Sequence, residues 1–216
     1  MILVISDTHL GKYDKEKDKF LQNLIKDYDN VIINGDFWDN WAITFKDFIN
    51  SDYKELFQLL KKKNAIYIFG NHDLKKDIDT KLANVFSDLQ VSEYDIKING
   101  KKYHFEHGHR FISQMNNAFY RRYYNLLEKL PKNLLYKINI LGYYLFPKII
   151  AKNKIAKKRN DFIKEHKPRE TFYIIGDTHI PEIDIKNKFA NSGCILGKLV
   201  SYVVIDDEGC LKLFIK

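Results

Sequence analysis

The chain has 216 residues, of which 45% are hydrophobic and 30% charged, a balance typical of a globular protein that excludes a disordered chain. It has no stretch of about 18 uncharged apolar residues, which argues against a membrane-spanning helix. The first residues, MILVISDTHLG, predict a strand and not a signal peptide, because they lack a basic segment and a cleavage site. Cys194 and Cys210 are too few for a disulfide framework, so we expect a reduced, cytoplasmic compartment.

The positive charge of the chain is concentrated in one segment. The whole chain has a net charge of +8. Residues 110–167 hold 14 Lys and Arg and 3 Asp and Glu, a net charge of +11, whereas the remainder holds 22 and 25, a net charge of −3. This segment predicts a surface for an anionic partner, which is a phosphate ester, a nucleic acid or an anionic lipid. The alternative is a solvated helical face without a partner.

The first half of the chain alternates strand and helix patterns. Strands are predicted at Met1–Ser6, Asn30–Asn34 and Ala65–Phe69. Helices are predicted between them, at Asp18–Tyr28 and Tyr53–Lys62. This β–α–β–α–β order predicts largely parallel strands that are buried between helices.

The second half begins with a predicted hairpin, since Asn99-Gly100 lies between strands at Val91–Ile98 and Lys102–Glu106. Residues 111–167 are predicted to be mostly helical. Breaks in this segment are expected at Pro131, near Gly142 and at Pro147. The last strands are predicted at Thr171–Ile175, Phe189–Ile195, Lys198–Ile205 and Cys210–Phe214. The whole pattern predicts one α/β domain over residues 1–216 with a helical insertion at about 111–167.

Polar residues with metal-binding side chains follow five of the predicted strands. They are Asp7 and His9, Asp36 and Asp39, Asn71 and His72, His107 and His109, and Asp177 and His179. Because ligands bind at the carboxyl ends of the strands in an open α/β sheet, we expect these side chains to converge. A single pair of this kind is usually a turn or a helix cap. The five together indicate a dinuclear metal centre.

These residues resemble the motifs of the calcineurin-like metallophosphoesterases. The family pattern is D-x-H, G-D-x-x-D, G-N-H-[DE], a later His, and G-H-x-H. The matching residues are Asp7 with His9, Gly35-Asp36 with Asp39, Gly70-Asn71-His72-Asp73, His107, and Gly176-Asp177-Thr178-His179. The resemblance spans nearly the whole chain. It implies an α/β fold in which a two-sheet β-sandwich is flanked by helices and carries a helical cap, with two metal ions at one edge.

The resemblance also implies the role of each residue. The implied ligands are Asp7, His9 and His179 for the first ion and Asn71, His107 and Asp177 for the second, with Asp36 bridging both. Two cations about 3.5–4 Å apart hold a phosphoryl group and acidify a water molecule. His72 is placed to contact a phosphoryl oxygen or to protonate the leaving group. Asp39 would orient His72 and favour its cationic form.

Two residues depart from the family pattern. Asp177 stands where the family usually has His, and its added charge favours Mn²⁺ or Mg²⁺ over softer ions, unless it weakens the second site. His109 stands where relatives with a helical insertion often have Asp, and we expect it to contact a metal ligand and not the metal. We therefore expect two divalent ions, with Mn²⁺ favoured and Fe, Zn or Mg as alternatives.

The helical insertion narrows the range of substrates that we expect. It is rich in aromatic residues, and the uncharged run Ile138–Pro147 is flanked by lysines, which is typical of an amphipathic cap. Its position and the segment Gly35–Trp41 are similar to the UDP-2,3-diacylglucosamine pyrophosphatases, although many of these have Arg at the position of His72. The resemblance implies a lipid-linked or nucleotide-sugar substrate and peripheral contact with the inner membrane surface. The residues expected to bind substrate are Trp41, Arg110, Arg121 and Arg122.

Two other functions stay open at this point. A nuclease or general phosphodiesterase would bind nucleic acid or nucleotides through the basic segment, although the run Ile138–Leu141 suits acyl chains better. A non-catalytic interaction module would keep the fold, but such modules typically lose ligands. The sequence predicts no oligomeric state.

Overall fold

The structure is a computed structural model that describes residues 1–111 and 130–216. Arg121 and Arg122, two of the expected substrate-binding residues, lie outside the described residues. The strands are β1 (Ile2–Ile5), β2 (Asn30–Asn34), β3 (Ile66–Ile68), β4 (Leu89–Val91), β5 (Glu93–Ile98), β6 (Lys101–Glu106), β7 (Phe172–Ile175), β8 (Glu182–Asp184), β9 (Phe189–Asn191), β10 (Ile195–Leu196), β11 (Leu199–Ile205) and β12 (Leu211–Ile215). The helices are α1 (Lys15–Lys26), α2 (Phe45–Ile49), α3 (Lys54–Lys62), α4 (Thr80–Ala83), α5 (Lys132–Leu145), α6 (Pro147–Ile150) and α7 (Lys154–His166).

The strands form two sheets. The first has the order β10-β11-β1-β2-β3-β4, with β12 paired to β11, and the second has the order β5-β6-β7-β9-β8. Strands β1 to β4 are mutually parallel, which the alternating pattern predicts for β1, β2 and β3, and β6 is parallel to β7. The predicted α/β fold with two sheets flanked by helices is therefore confirmed.

Alternate residues of the parallel strands face opposite layers. In β1, Leu3 and Ile5 pack in the cluster beneath the helices, whereas Val4 packs against the second sheet with Phe105 and Ile174. Each such side chain contributes about 1.5–3 kcal/mol when it is fully buried. A third cluster joins Ile163 of α7 to the outer face of the second sheet. The molecule is thus layered as helix, sheet, sheet and helix.

The predicted hairpin turn and the predicted break at Pro147 are confirmed, whereas two other predictions are wrong. Asn99 and Gly100 have φ of 46° and 80°, as a tight hairpin requires, and α5 ends at Leu145, after which α6 begins at Pro147. The predicted break near Gly142 is wrong, because α5 continues through it and a single glycine costs a helix only about 1 kcal/mol. The predicted strand Phe189–Ile195 is two strands, since Gly193 turns the chain at a φ of 75°.

Candidate metal centre

The carboxyl ends of β1, β2, β3, β6 and β7 meet at one side of the two sheets, which we call the ligand edge. The loops that follow these strands are tied together through the backbone. The amide of Asp7 donates to the carbonyl of Gly35 at 3.0 Å, and the amide of Gly176 donates to the carbonyl of His107 at 3.0 Å. The structure therefore brings together the seven expected ligands. They are Asp7, His9, Asp36, Asn71, His107, Asp177 and His179.

Five of these seven residues have a left-handed backbone. The φ angles are 51° at Asp7, 45° at His9, 52° at Asp36, 61° at Asp177 and 59° at His179. Asp, Asn and His tolerate this conformation better than most residues, but it still carries strain. Such strain concentrates at functional sites, where the surrounding structure holds it in place.

In the part of the chain that the structure describes, the first group of candidate ligands contains two buried atoms that make no well-aligned hydrogen bond. The donor atoms of Asp7, His9 and His179 lie within 4.8 Å of one another, with His179 Nε2 at 2.9 Å from Asp7 Oδ1. Among the described residues, Asp7 Oδ1 and His9 Nε2 make no well-aligned hydrogen bond. A buried polar atom left unsatisfied costs about 1–3 kcal/mol. A cation bound between these atoms would satisfy both, so the group fits a metal ion.

The second group is organised around His107. Its Nδ1 donates to the carbonyl of Asn34 at 2.9 Å, which fixes the tautomer and turns Nε2 toward the ligand edge. There Nε2 lies 3.2 Å from Asn71 Oδ1, 3.3 Å from Asp36 Oδ2 and 3.9 Å from Asp177 Oδ1. Asp36 also lies 3.6 Å from His9 Nε2, so its carboxylate faces both groups.

The charges of the site suit cation binding. Burial by itself raises the pKa of Asp36, but His107 and His72 outweigh it and hold that pKa well below its usual range. The pKa of Asp7 is likewise lowered, because His179 and His107 offset the effect of burial. Buried carboxylates that stay ionised beside nitrogen donors are a donor set for divalent cations.

His72 and His9 share one orienting carboxylate. Asp39 Oδ1 lies 3.2 Å from His72 Nδ1, and Asp39 Oδ2 lies 2.8 Å from His9 Nδ1. Burial alone would lower the pKa of His72, but Asp36 and Asp39 raise it to about 9. Trp41 packs on His72 with the ring centroids 4.4 Å apart, and its amide donates to Asp39 at 2.8 Å. Asp39 and Trp41 therefore hold His72 in a fixed orientation at the ligand edge, and the neighbouring carboxylates favour its cationic form.

Asp73, to which the sequence analysis gave no role, fixes two of the loops. Its carboxylate accepts from the amides of Gly70 at 2.6 Å, Asp36 at 3.0 Å and Phe37 at 2.8 Å. Burial raises its pKa to about 7. Gly70 is required here because a Cβ would overlap Asp36 Oδ1. The Gly-x-x-Asp spacing in the sequence could have predicted these contacts between Asp73 and the two loops.

A cleft of about 220 Å³ opens above the ligand edge. Its walls include Tyr136, Ile140 and Tyr143 of α5 and Arg159 of α7. The Tyr143 hydroxyl contacts His179 Nδ1, and the Arg159 guanidinium contacts Asp177. Arg159 was not among the residues predicted to lie at the site. The signal was its identity, since it is the one Arg among the basic residues of 130–167 and its planar group suits carboxylates and phosphates.

Arg110 and His109 lie outside this cleft. The guanidinium of Arg110 contacts Glu106 at 2.5 Å and the Tyr173 hydroxyl at 2.7 Å, beside a separate hollow of about 210 Å³. His109 lines the same hollow and has its ring centroid 5.6 Å from that of His107. His109 therefore lies beside a candidate ligand, and its role there stays a prediction, whereas Arg110 does not line the cleft.

A two-sheet α/β sandwich with Asp, His and Asn donors at one edge fits a metal-dependent phosphoesterase. The sequence model of the calcineurin-like phosphoesterases matches residues 1–181, so the chain belongs to that family. No curated protein matches it in sequence. None of the described helices is long and apolar enough to cross a membrane.

The chain is similar to several solved structures at low sequence identity. An archaeal phosphodiesterase is 15% identical, with 100% of this chain and 99% of that one covered and a TM-score of 0.48. The phosphoesterase YfcE of E. coli is 14% identical, with 95% and 88% covered and a TM-score of 0.47. Vps29 of Entamoeba histolytica is 16% identical, with 100% and 97% covered and a TM-score of 0.44.

Proposed function

We propose that this protein is a hydrolase that uses two divalent metal ions to cleave a phosphodiester or pyrophosphate bond. The observation that carries the proposal is the convergence of Asp7 Oδ1 and His9 Nε2, buried and without well-aligned hydrogen bonds among the described residues, with further donors at one edge. Bound cations would supply positive charge to the phosphoryl oxygens and acidify a water molecule.

The ligands divide into two groups around Asp36. Asp7, His9 and His179 would hold one ion, Asn71, His107 and Asp177 the other, and Asp36 would bridge them. Three carboxylates and an amide oxygen are hard donors, so we propose Mn²⁺ as the preferred ion, with Fe, Zn and Mg as alternatives.

A cationic His72 would support the phosphoryl chemistry. It lines the cleft, and its amide donates to Asp36 Oδ1 at 2.9 Å, which holds it beside the proposed bridging ligand. From there it would donate to a phosphoryl oxygen and protonate the leaving oxygen. Asp39 keeps the imidazole oriented and charged through the 3.2 Å contact with Nδ1.

For the substrate we propose a lipid-linked phosphoester or nucleotide sugar, such as UDP-2,3-diacylglucosamine. The support is an exposed row of large apolar side chains on α5 and α6, which we call the apolar stripe. Its residues are Leu134, Ile138, Leu141, Leu145, Phe146 and Ile149. Their spacing of three and four residues puts those of α5 on one face of the helix. Since they are 44–70% exposed, they are available to an acyl chain or a membrane.

The charges around the apolar stripe favour an anionic bilayer as the surface on which the protein meets such a substrate. Residues 130–160 contain no Asp or Glu. The exposed lysines of this region are Lys132, Lys137, Lys148, Lys152, Lys154, Lys157 and Lys158. Lysines beside an apolar helical face are typical of interfacial helices that bind anionic lipid.

A hydrolysis panel tests the proposed function. Each substrate is offered with Mn²⁺ and again with EDTA: bis-p-nitrophenyl phosphate, a UDP-sugar lipid, CDP-diacylglycerol and single-stranded DNA. We expect Mn²⁺-dependent hydrolysis that is fastest for an acylated substrate. DNA cleaved as fast as any lipid would indicate the nuclease, and two bound ions without any hydrolysis would indicate the non-catalytic module.

A further inference from the structure

Arg159 and Asp177 form an ion pair inside the cleft. Arg159 is 9% exposed, and its Nη2 contacts Asp177 Oδ2. The other oxygen, Asp177 Oδ1, lies 3.9 Å from His107 Nε2, on the side of the proposed metal ions. The two oxygens of one carboxylate therefore face different partners, a guanidinium on one side and the metal centre on the other.

Arg159 is distinguished by its charge. Three carboxylates, those of Asp7, Asp36 and Asp177, converge on the ligand edge. In the part of the chain that the structure describes, Arg159 is the one Arg or Lys whose side chain lies within ion-pair distance of any of them. It therefore offsets one of three negative charges in a buried place, where charge interactions are strong.

The neighbouring residue already anchors α7 to the loop of Asp177. Asn160 Nδ2 donates to the carbonyl of Ile180 at 3.1 Å, and Asn160 Oδ1 accepts from the Thr178 hydroxyl at 2.7 Å and from Asn191 Nδ2 at 3.0 Å. Because these uncharged bonds hold the helix to the loop, the Arg159 guanidinium is not needed as a tether.

We propose that Arg159 is a positioning residue that sets the metal affinity and anion affinity of the site through Asp177. By occupying Oδ2 it leaves only Oδ1 for the second metal ion, and it offsets the added carboxylate charge. The inference rests on the proposed metal centre. Loss of Arg159 would remove one positive charge beside the three carboxylates, so the site should bind cations more tightly and anions more weakly. Metal affinity and phosphate affinity should therefore move in opposite directions, which a merely structural role would not produce.

Calorimetric titration with Mn²⁺, and inhibition by inorganic phosphate, test this inference. For Arg159→Ala we expect the weaker Mn²⁺ site to tighten about tenfold and phosphate inhibition to weaken about tenfold. Arg159→Lys keeps the charge and should stay within about threefold of the wild type for both. In an Asp177→Asn background, Arg159→Ala should change the Mn²⁺ affinity less than about twofold, because Arg159 acts through Asp177.

Lys164→Ala is the matched control. Lys164 lies on the same helix, and its side chain, 14% exposed, pairs with Glu182 at 2.7 Å and Asp161 at 2.8 Å, away from the ligand edge. Its loss should lower Tm without changing Mn²⁺ or phosphate affinity. If Arg159→Ala does not fold, Arg159→Gln carries the same test.

Three results would overturn the inference: weaker Mn²⁺ binding by Arg159→Ala, the same change in both backgrounds, or no change. Wild-type protein that binds no Mn²⁺ would instead overturn the proposed metal centre. The two failures are therefore distinguishable.

Discussion

The ligand edge and the apolar stripe are opposite in construction. At the ligand edge Asp7, Asp36 and His107 are at most 2% exposed and lie in loops that are bonded to one another. In the apolar stripe Leu141 and Ile149 are 55% and 70% exposed. The side chains of the ligand edge are fixed by buried contacts within the protein, whereas those of the apolar stripe are available to a binding partner. We therefore expect substitutions at the ligand edge to change the rate of hydrolysis and the metal content. Substitutions in the apolar stripe should change the preference among substrates.

The largest effect is expected from loss of the proposed bridge. Asp36→Gly removes the carboxylate and suits the φ of 52° at this position. We expect loss of most bound metal and a fall in the hydrolysis of bis-p-nitrophenyl phosphate of more than about 10³-fold. Metal analysis and initial rates measure both. The control is Asp88→Ala, an exposed surface carboxylate, and full activity in Asp36→Gly would rule out the dinuclear centre.

His72 separates chemistry from metal binding at the same edge. Since the ring is proposed to act on the phosphoryl group, His72→Ala should reduce kcat by roughly 10²–10⁴-fold with two ions still bound. Metal content and kcat are measured on one preparation, with His166→Ala as the exposed control. A ring nitrogen of His72 also lies within 4.8 Å of the donor atoms of His9 and Asp36. Metal lost together with rate would therefore make His72 a ligand.

A smaller effect is expected at Asp39. Asn keeps the shape but removes the charge that holds both His72 and His9, so Asp39→Asn should lower kcat by about 10–100-fold. KM for a small diester should change less than threefold, since Asp39 does not touch substrate in this proposal. Asp47→Asn, at an exposed helix start, is the control. A changed KM with an unchanged kcat would contradict the orienting role.

Substitutions in the apolar stripe are expected to have the smallest effect on stability and on the hydrolysis of small substrates. They should mainly weaken the binding of lipid. Ile138→Ser with Leu141→Ser should change the free energy of unfolding by less than about 1 kcal/mol, because both side chains are exposed. Binding to vesicles of anionic phospholipid should weaken about tenfold, while hydrolysis of bis-p-nitrophenyl phosphate stays unchanged. Ile215→Ser, which removes a 64% exposed side chain elsewhere, is the control. If the double variant binds vesicles as tightly as Ile215→Ser does, the membrane proposal is wrong.

The sequence predicted most of the ligand edge because its residues sit at fixed positions after strands. Once β1, β2 and β3 are parallel, Asp7, Asp36 and Asn71 must lie at the same end of the sheet. The strands β4 and β8 escaped prediction, since Leu89–Val91 and Glu182–Asp184 contain polar residues, whereas β3, which is equally short, lies in the apolar run Ala65–Phe69.

The contacts made by side chains from the insertion could not be read in the same way. Arg159 meets Asp177, and Tyr143 meets His179, only because α5 and α7 pack across the ligand edge. Their positions follow from tertiary packing and not from spacing along the chain. The break near Gly142 was wrongly predicted for a different reason, since one glycine costs a helix only about 1 kcal/mol.

The place of β1 has a consequence for how the chain folds. This first strand is an inner strand of its sheet, and Leu3 is aligned with Val204, while the amide of Asp177 donates to Asp7 across 170 residues of sequence. Contacts at such separation close large loops, so folding of this protein should be slow and should finish near the C-terminus. Ions bound between residues 7 and 179 would stabilise only the completed fold. The resistance of the protein to thermal unfolding and to proteolysis should therefore increase with the concentration of free metal ion.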